Sequence, residues 1–415
     1  MKTTLLSALK HICMYLLAVL RWPVLGAIVG VVCGLIGSAF SLAVSYATGL
    51  REDHLWILYT LPFLGLLSVL LYRGLRVNGI GTDRSIEACT SEKKVPILLM
   101  PAIFLSSVLT HMGGGSAGRE GAALQLGSSA AGLISMVFRL DEKTKRILTV
   151  CGMGAVFSAV FGTPVGACIF ALEVALVGAF NLSAVFPAMV SSVCSYGISK
   201  TFGIKGEHFE ITKAASFNID TLWRVIVVAI ACALMSIVFC KGLEISKKLF
   251  ARVLKNEYLR IFVGGLIVVG LTLVFKTRDY NGGGIEVIES IFETGEVFWA
   301  AFLLKTLFTC ITVGAGYKGG EIIPSFFIGA ALGAFTASLI GMDVPLGAAV
   351  GMAALFCGVT NCPVATIFLC VELFGGDAVV LFALAVAVSF LLSGNISLYK
   401  TQKLSEGKLL TKKAQ

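Results

Sequence analysis

The sequence predicts an all-α membrane protein that crosses the bilayer many times. Of its 415 residues, 57% are hydrophobic and 14% are charged, whereas soluble domains contain about 25% charged residues. The mean hydropathy is +0.91. Long apolar runs recur along the chain, from 12–48 to 378–397. A soluble core could not bury this much apolar surface, so secreted, nuclear and disordered classes are excluded.

The lengths of the apolar runs indicate that many helices are tilted or partial. At about 20 apolar residues for each span, the runs supply on the order of ten or more membrane helices. Several runs are too long for one span and too short for two, and others begin at glycine-rich segments. Transporters use interrupted helices of this kind. The 12 cysteines lack ligand spacing and are interpreted as reduced core residues, so no metal or cofactor is expected.

The net charge of +9 comes from short basic segments outside the apolar runs. Examples are 139–146, 241–260 and the tail 400–415. This distribution is not that of a nucleic-acid-binding surface, and no nucleic-acid partner is expected. Basic residues concentrate in cytoplasmic loops, so these segments and both termini are expected to face the cytoplasm. Because the tail is short, we expect a single transmembrane domain over 1–415, with no cytosolic regulatory domain.

The chain contains an internal repeat with an offset of 199 to 203 residues. Three ordered pairs of segments match: 152–174 with 351–373, 113–121 with 314–322, and 76–81 with 279–284. They align Glu120 with Glu321 and Glu173 with Glu372. We therefore predict two related halves, about 12–203 and about 215–399, whose relative orientation stays open. Duplicated halves with interrupted helices place a binding site near the middle of the membrane.

Each half carries a glutamate in the first turn of a helix that follows a glycine-rich break. Glu120 follows GGGSAGR, and Glu321 follows GAGYKGG. A helix N-terminus has unpaired N–H groups and partial positive charge, so it binds anions without a cationic side chain. A glutamate there can act as a tethered anion that protonation releases, as coupled exchange of protons and anions requires. Alternatively, each acid only stabilises its own helix.

These motifs resemble those of the CLC chloride channels and transporters, over nearly the whole chain. GREG at 118–121 resembles the family's gating-glutamate motif, NGIG at 78–81 its GSGIP loop, and GGEIIP at 319–324 its GxFxP segment. Tyr399 matches the tyrosine that closes the central anion site from inside. The resemblance implies the CLC fold, with two inverted halves of mostly tilted and partial helices, and a homodimer. It also implies an anion site whose residues are Asn78, Gly79, Ile80, Gly118, Arg119, Gly121, Glu321, Ile322, Ile323 and Tyr399.

Departures from the family pattern resemble the CLC-F branch, the bacterial fluoride/proton antiporters. Asn78 stands at the family's anion-coordinating serine, and Glu321 is an extra acid beside the central site. Val174 stands where the exchangers carry an inner glutamate that accepts protons. This resemblance implies a multi-pass transporter of the bacterial cell membrane that exports fluoride in exchange for protons, with Glu120 as gate and Glu321 in proton transfer.

The chemistry of fluoride agrees with these departures. Fluoride is small and tightly hydrated, so its site must replace water with strong donors. The Asn78 amide offers two N–H donors where serine has one hydroxyl. A protonated Glu321 would add an O–H donor, whereas an ionised one would repel the anion. Alternatively, Asn78 is a helix cap beside Gly79, and Tyr399 is an interfacial aromatic residue.

Other functions and roles stay open. A chloride/proton exchanger and a passive CLC channel are alternatives, and GGSAG around Ser116 is a remote indication of an intramembrane hydrolase. Glu173 and Glu372 are expected to bond backbone N–H groups, and Arg119 to pin its loop. Lys305 could neutralise an acid, shape the anion potential or extend to the membrane interface.

Overall fold

A computed structural model describes residues 2–211 and 217–404, with side chains over 20–211 and 217–403. The first half of the chain forms eight α-helices: α1 (Lys2–Asp53), α2 (Leu61–Gly74), α3 (Thr82–Thr90), α4 (Leu99–Met112), α5 (Glu120–Val137), α6 (Glu142–Phe161), α7 (Pro164–Glu173) and α8 (Leu182–Thr201). The second half forms eight more: α9 (Ile219–Val253), α10 (Glu257–Phe275), α11 (Ile285–Thr294), α12 (Ala301–Ala315), α13 (Ile322–Ile340), α14 (Val344–Thr360), α15 (Pro363–Phe374) and α16 (Val379–Leu392). A 3₁₀ helix spans Leu55–Thr60, and β1 (Leu176–Val177) pairs in parallel with β2 (Lys403–Leu404).

The helix lengths confirm the predicted mixture of complete and partial membrane helices. Within the described residues, 7 helical segments are long and apolar enough to cross a bilayer. Six further apolar helices are shorter, with 10–17 residues; they are α4, α7, α12, α14, α15 and α16. The expected ten or more spans are therefore reached only when these partial helices are included.

The same breaks interrupt both halves at equivalent positions. Helices α6 and α14 end on left-handed C-cap residues, Gly162 at φ 76° and Asn361 at φ 57°. Glycine and asparagine are the residues that tolerate this conformation best, and it stops a helix. The next helices, α7 and α15, begin at Pro164 and Pro363, since proline at the first helical position has no N–H to leave unpaired.

Equivalent helices also pack with equivalent partners. Helix α5 packs on α6 as α13 packs on α14, and α1 contacts α6 and α8 as α9 contacts α14 and α16. A Cβ at Gly127 would overlap the backbone of Gly152, and a Cβ at Gly329 would overlap that of Gly351. Close helix contacts through small residues are typical of membrane proteins. The exact boundaries of the halves stay a prediction, because the junction falls partly on residues 212–216, outside the described residues.

Two glutamates establish how the halves are oriented. Glu173, at the end of α7, accepts hydrogen bonds from the N–H groups of Val364 (3.2 Å) and Ala365 (2.7 Å) at the start of α15. Glu372, near the end of α15, accepts from Val165 (2.9 Å) and Gly166 (2.7 Å) at the start of α7. Each helix thus ends where its equivalent begins, so the two run antiparallel and the halves are inverted. The predicted structural role of both acids is confirmed.

Candidate anion pathway

Two helix N-termini meet head to head inside the protein. The N–H group of Gly118 donates to the carbonyl of Gly320 (2.7 Å), and the N–H group of Gly320 donates to that of Gly118 (2.6 Å). Helix α5 begins two residues after the first glycine, and α13 begins two residues after the second. The unpaired N–H groups of both helices therefore converge on one region, which suits an anion.

The N-terminus of α3 joins the same region. The hydroxyl of Thr82, the first residue of α3, donates to the carbonyl of Gly121 (3.4 Å) and accepts from the Gln125 amide (3.1 Å). Gly81 is the N-cap of α3, without a side-chain cap. The interpretation of Asn78 as the helix cap is therefore wrong.

The Glu120 side chain lies over the paired glycines. It is fully buried, and neither carboxylate oxygen has a hydrogen-bond partner among the described residues. A Cβ at Gly118 or Gly320 would overlap its carboxylate, so both positions require glycine. A buried ionised carboxylate without partners is costly. Protonation, or displacement by another anion that the N–H groups bind, removes that cost.

A cavity of about 340 Å³, here called the Arg51 cavity, opens on one side of Glu120. Gly118, Arg119 and Ile323 form its inner end, and Arg51 lines its wall. Its remaining charged lining residues are Glu52, Arg278, Asp279 and Glu286. Arg119 pins its own loop as expected, because it donates to Ser41 (3.2 Å) and pairs with Glu207 (2.6 Å).

A second cavity of about 400 Å³, the Tyr399 cavity, is lined by Tyr399 together with Lys241, Glu244, Lys247 and Lys400. Tyr399 is only 5% exposed. It therefore does not lie in the membrane interface, and the interpretation as an interfacial aromatic residue is wrong. The charges of Glu120 and Glu321 both act on it, so it lies near both acids.

Hydrogen bonds of the residues that follow Tyr399 hold it in place. The backbone N–H and hydroxyl of Thr401 donate to the Asp83 carboxylate at 3.3 Å and 3.2 Å. The Gln402 amide donates to the carbonyl of Thr360 (2.7 Å), and the N–H group of Lys403 donates to that of Ala175 (3.4 Å). The segment that carries Tyr399 is thus attached to α3 and to both inverted halves.

Glu321 is linked to the Tyr399 cavity through Lys247, which lines that cavity. It is the N-cap of α13 but makes no side-chain cap bond. Its carboxylate pairs with Lys247 at 3.5 Å, and 16% of its side chain is exposed. The acid is therefore partly accessible to solvent and lies next to a residue that lines the cavity. Val174, at the position of the missing inner acid, is fully buried.

Asn78 and Gly79 lie apart from Glu120, on a smaller cavity of about 170 Å³ that Tyr72, Arg260 and Lys318 also line. Both residues are exposed, and the Asn78 amide makes no hydrogen bond with the described residues. Gly79 has φ +72°, which glycine adopts without strain. The structure does not bring Asn78 into contact with Glu120 or Tyr399.

The structure adds residues that sequence reasoning missed. Arg51 donates to the carbonyl of His111 (3.0 Å) beside the Arg51 cavity. Asn281 is buried and donates to the carbonyl of Gly114 (2.8 Å). Asn281 is the repeat equivalent of Asn78, so the alignment of 76–81 with 279–284 could have found it. Arg51 follows an apolar run and belongs to no motif or repeat, so no pattern in the sequence marks it.

The geometry around Ser116 contradicts the hydrolase alternative. Ser116 is fully buried, and its hydroxyl contacts that of Thr309 at 3.0 Å. The His111 ring bonds the carbonyl of Ser107 (2.8 Å), and no histidine among the described residues bonds Ser116. A nucleophilic serine requires a general base within reach, so the chain is not an enzyme of this type.

Inverted halves, converging helix N-termini and a buried glutamate where those termini meet define an anion-transport protein of the membrane. The chain belongs to the voltage-gated chloride channel family, the CLC family, whose model matches residues 64–394. It is 32% identical over 397 residues to a chloride/fluoride channel protein of Pseudomonas syringae pv. tomato, covering 94% of this chain and 87% of that protein. It is 24% identical to an H⁺/Cl⁻ exchange transporter ClcA of Vibrio parahaemolyticus, covering 84% of this chain and 81% of the relative.

Solved structures confirm the CLC fold. The crystal structure of a CLC-type fluoride/proton antiporter matches with a TM-score of 0.87 and 30% identity, covering 93% of this chain and 98% of that one. A slow cyanobacterial Cl⁻/H⁺ antiporter matches in fold with a TM-score of 0.78 and 20% identity, covering 90% and 94%. The predicted fold class and family are thus confirmed, and the chain is an anion transporter.

Proposed function

We propose that this protein exports fluoride from the cytoplasm in exchange for protons. The observation that carries the proposal is the Glu120 carboxylate, which is buried without a hydrogen-bond partner among the described residues. It lies over Gly118 and Gly320, beside the Arg51 cavity that Gly118 and Arg119 line. A fluoride/proton antiporter and a chloride/fluoride channel protein are among its relatives, at 30% and 32% identity over nearly the whole chain. Both support fluoride as the cargo.

The mechanism follows from competition for the same N–H groups. Fluoride enters past Tyr399 and approaches the N-termini of α3, α5 and α13. While Glu120 is ionised, its carboxylate occupies the region over the paired glycines Gly118 and Gly320, here called the junction, and repels the anion. A proton that arrives through the Arg51 cavity neutralises Glu120. The side chain then moves out of the junction, and the anion can enter it. An inward proton gradient thus drives outward anion movement.

Proton transfer to the cytoplasm is assigned to Glu321. Val174 cannot carry a proton, whereas the Glu321 side chain is partly exposed and pairs with Lys247, which lines the Tyr399 cavity. A proton passed from Glu120 to Glu321 would reach solvent through the exposed part of that side chain. When protonated, Glu321 adds an O–H donor for the anion.

Selectivity for fluoride over chloride is assigned to Asn78. Its amide is exposed and unpaired among the described residues, so both N–H donors are free for a small, strongly hydrated anion. Ile322 and Ile323, at the N-terminus of α13, would contact the anion beside Glu120, whereas Asn78, Gly79 and Ile80 would act from the separate cavity that Asn78 and Gly79 line. A chloride/proton exchanger is the second candidate, because Tyr399 is retained and ClcA-type exchangers are among the relatives.

We further propose a homodimer in a bacterial cell membrane, with the Tyr399 cavity and both termini on the cytoplasmic side. The basic residues around Tyr399 agree with this orientation. Exposed apolar side chains on α15, Val364 (37%) and Phe368 (41%), offer a contact surface near α7. The tail 405–415 lies outside the described residues.

The test is flux from liposomes that contain the purified protein and either fluoride or chloride, with external pH recorded. Fluoride efflux with proton uptake, and little chloride efflux, is the expected result. Comparable chloride efflux with proton uptake would replace fluoride by the second candidate. Anion efflux without proton movement would contradict exchange altogether.

A further inference from the structure

Lys305 is a cation buried in the middle of α12 that the proposed mechanism does not use. It is fully buried, so it does not extend to the membrane interface. Its ammonium donates to the carbonyls of Gly282 (2.8 Å) and Tyr280 (3.3 Å) and lies 5.1 Å from the Phe327 ring centroid. Within the described part of the chain, no carboxylate forms an ion pair with it. A buried charge of this kind is costly in a membrane protein and commonly serves function.

One glycine segment separates this ammonium from the Arg51 cavity. Gly282, Gly283 and Gly284 line that cavity, together with Gly118 and Ile323 at its inner end. A Cβ at Gly284 would lie 3.1 Å from the Lys305 ammonium nitrogen, and one at Gly283 would lie 3.1 Å from the Ile323 side chain. Because the segment has no side chains, the field of Lys305 reaches the cavity across a single layer of backbone.

Lys305 and Glu120 are both fully buried charges without an ion pair among the described residues. Three nearby cations each have an acid: Arg51 with Glu52, Arg119 with Glu207 and Lys247 with Glu321. Two further cations have no acid within the described ranges: Arg278 bonds the carbonyl of Leu55, and Lys318 lies over the Tyr72 ring. Lys305 has only carbonyls, and Glu120 has no partner. Glu120 is the acid whose charge acts most strongly on Lys305, ahead of Asp279, and Arg51 opposes both. His111, near Arg51, Arg119 and Lys305, also faces this region, as do Glu52, Arg278, Asp279 and Glu286 on the wall of the Arg51 cavity.

We propose that Lys305 is a positioning residue that supplies the fixed positive charge for one anion at the outer end of the pathway. That anion is the Glu120 carboxylate in one state and the transported ion in the other. The lysine also draws the carbonyl oxygens of Tyr280 and Gly282 toward itself, so these dipoles do not repel an anion in the cavity. This inference rests on the proposed gate at Glu120, but it does not depend on which halide is carried.

The test is the external-pH dependence of anion transport by Lys305→Met in liposomes. Without the cation, ionised Glu120 is less stable, so Glu120 binds its proton at lower acidity. The pH of half-maximal transport is therefore expected to rise by about one unit. Lys305→Arg should restore the wild-type midpoint. Lys143→Met, an exposed substitution on α6, should leave it unchanged.

The double variant Lys305→Met/Glu120→Gln separates this role from a structural one. It removes both unpaired charges, so it should fold. The pH dependence of its transport should equal that of Glu120→Gln alone, because the residue on which Lys305 acts no longer titrates. A Lys305→Met protein with the wild-type midpoint and only a lower rate would overturn the proposal. So would failure of the double variant to fold while Glu120→Gln folds. If the wild type carries chloride, the midpoint shift is measured with chloride, so failure of fluoride specificity remains distinguishable.

Discussion

The carboxylate of Glu120 lies directly against the Cα of Gly320, which belongs to the opposite half of the chain. A Cβ at Gly320 would overlap one carboxylate oxygen and approach the N–H groups of Gly121 and Glu120. The contact joins the first turn of α5 to the residue before Glu321. One half therefore provides the surface on which the other half's acid rests.

Gly320→Ala should push the Glu120 carboxylate off the junction. Steric overlap of this kind costs about 1–3 kcal/mol, so we expect fluoride movement that is not coupled to protons to rise about tenfold. The measurement is the fluoride-to-proton flux ratio in liposomes. Gly197→Ala, in open space on α8, is the control and should leave the ratio unchanged. A wild-type ratio in Gly320→Ala would contradict the position assigned to the gate.

Glu321→Gln should slow coupled exchange, because the amide cannot carry a proton to the Tyr399 cavity. Lys247→Met should give a smaller effect of the same kind, since Glu321 keeps its carboxylate but loses its ion pair. Turnover and proton uptake, recorded together, distinguish the two variants. Unchanged kinetics in Glu321→Gln would reduce this acid to a helix-terminal charge.

Asn78→Ser should lower the preference for fluoride over chloride. Serine offers one hydroxyl donor in place of two amide N–H donors, and the smaller, more strongly hydrated anion loses more from that exchange. The readout is the ratio of fluoride to chloride efflux from matched liposomes. If the ratio does not change, selectivity resides elsewhere, and the exposed location of Asn78 would then be its simplest explanation.

Glu173→Ala should destabilise the fold without acting on selectivity. The substitution leaves the N–H groups of Val364 and Ala365, the second of them buried, without their carboxylate partner, which we expect to cost about 3 kcal/mol. The apparent Tm in detergent should fall, whereas Glu289→Ala, at an exposed position on α11, should leave it unchanged. Equal stability of the two variants would refute the capping role.

Much of this arrangement could be predicted from local sequence. The glycine-rich breaks before Glu120 and Glu321 predict that both lie at helix N-termini, and the internal repeat aligns the two acids with each other. The repeat alone could not predict the inversion, because aligned segments look the same in either orientation. The family resemblance implied it, and the reciprocal bonds of Glu173 and Glu372 confirm it. Lys305 stayed ambiguous because its partners are backbone carbonyls more than twenty residues away, and such contacts leave no pattern in the sequence.

The central claim is tested most directly by proton uptake that an outward fluoride gradient drives. Liposomes loaded with fluoride are diluted into weakly buffered, fluoride-free medium, and proton uptake is followed for the wild type and for Glu120→Gln. The wild type should take up protons as fluoride leaves, whereas Glu120→Gln, a permanently neutral gate, should release fluoride without proton uptake at any pH. Proton uptake by Glu120→Gln equal to that of the wild type would contradict the account.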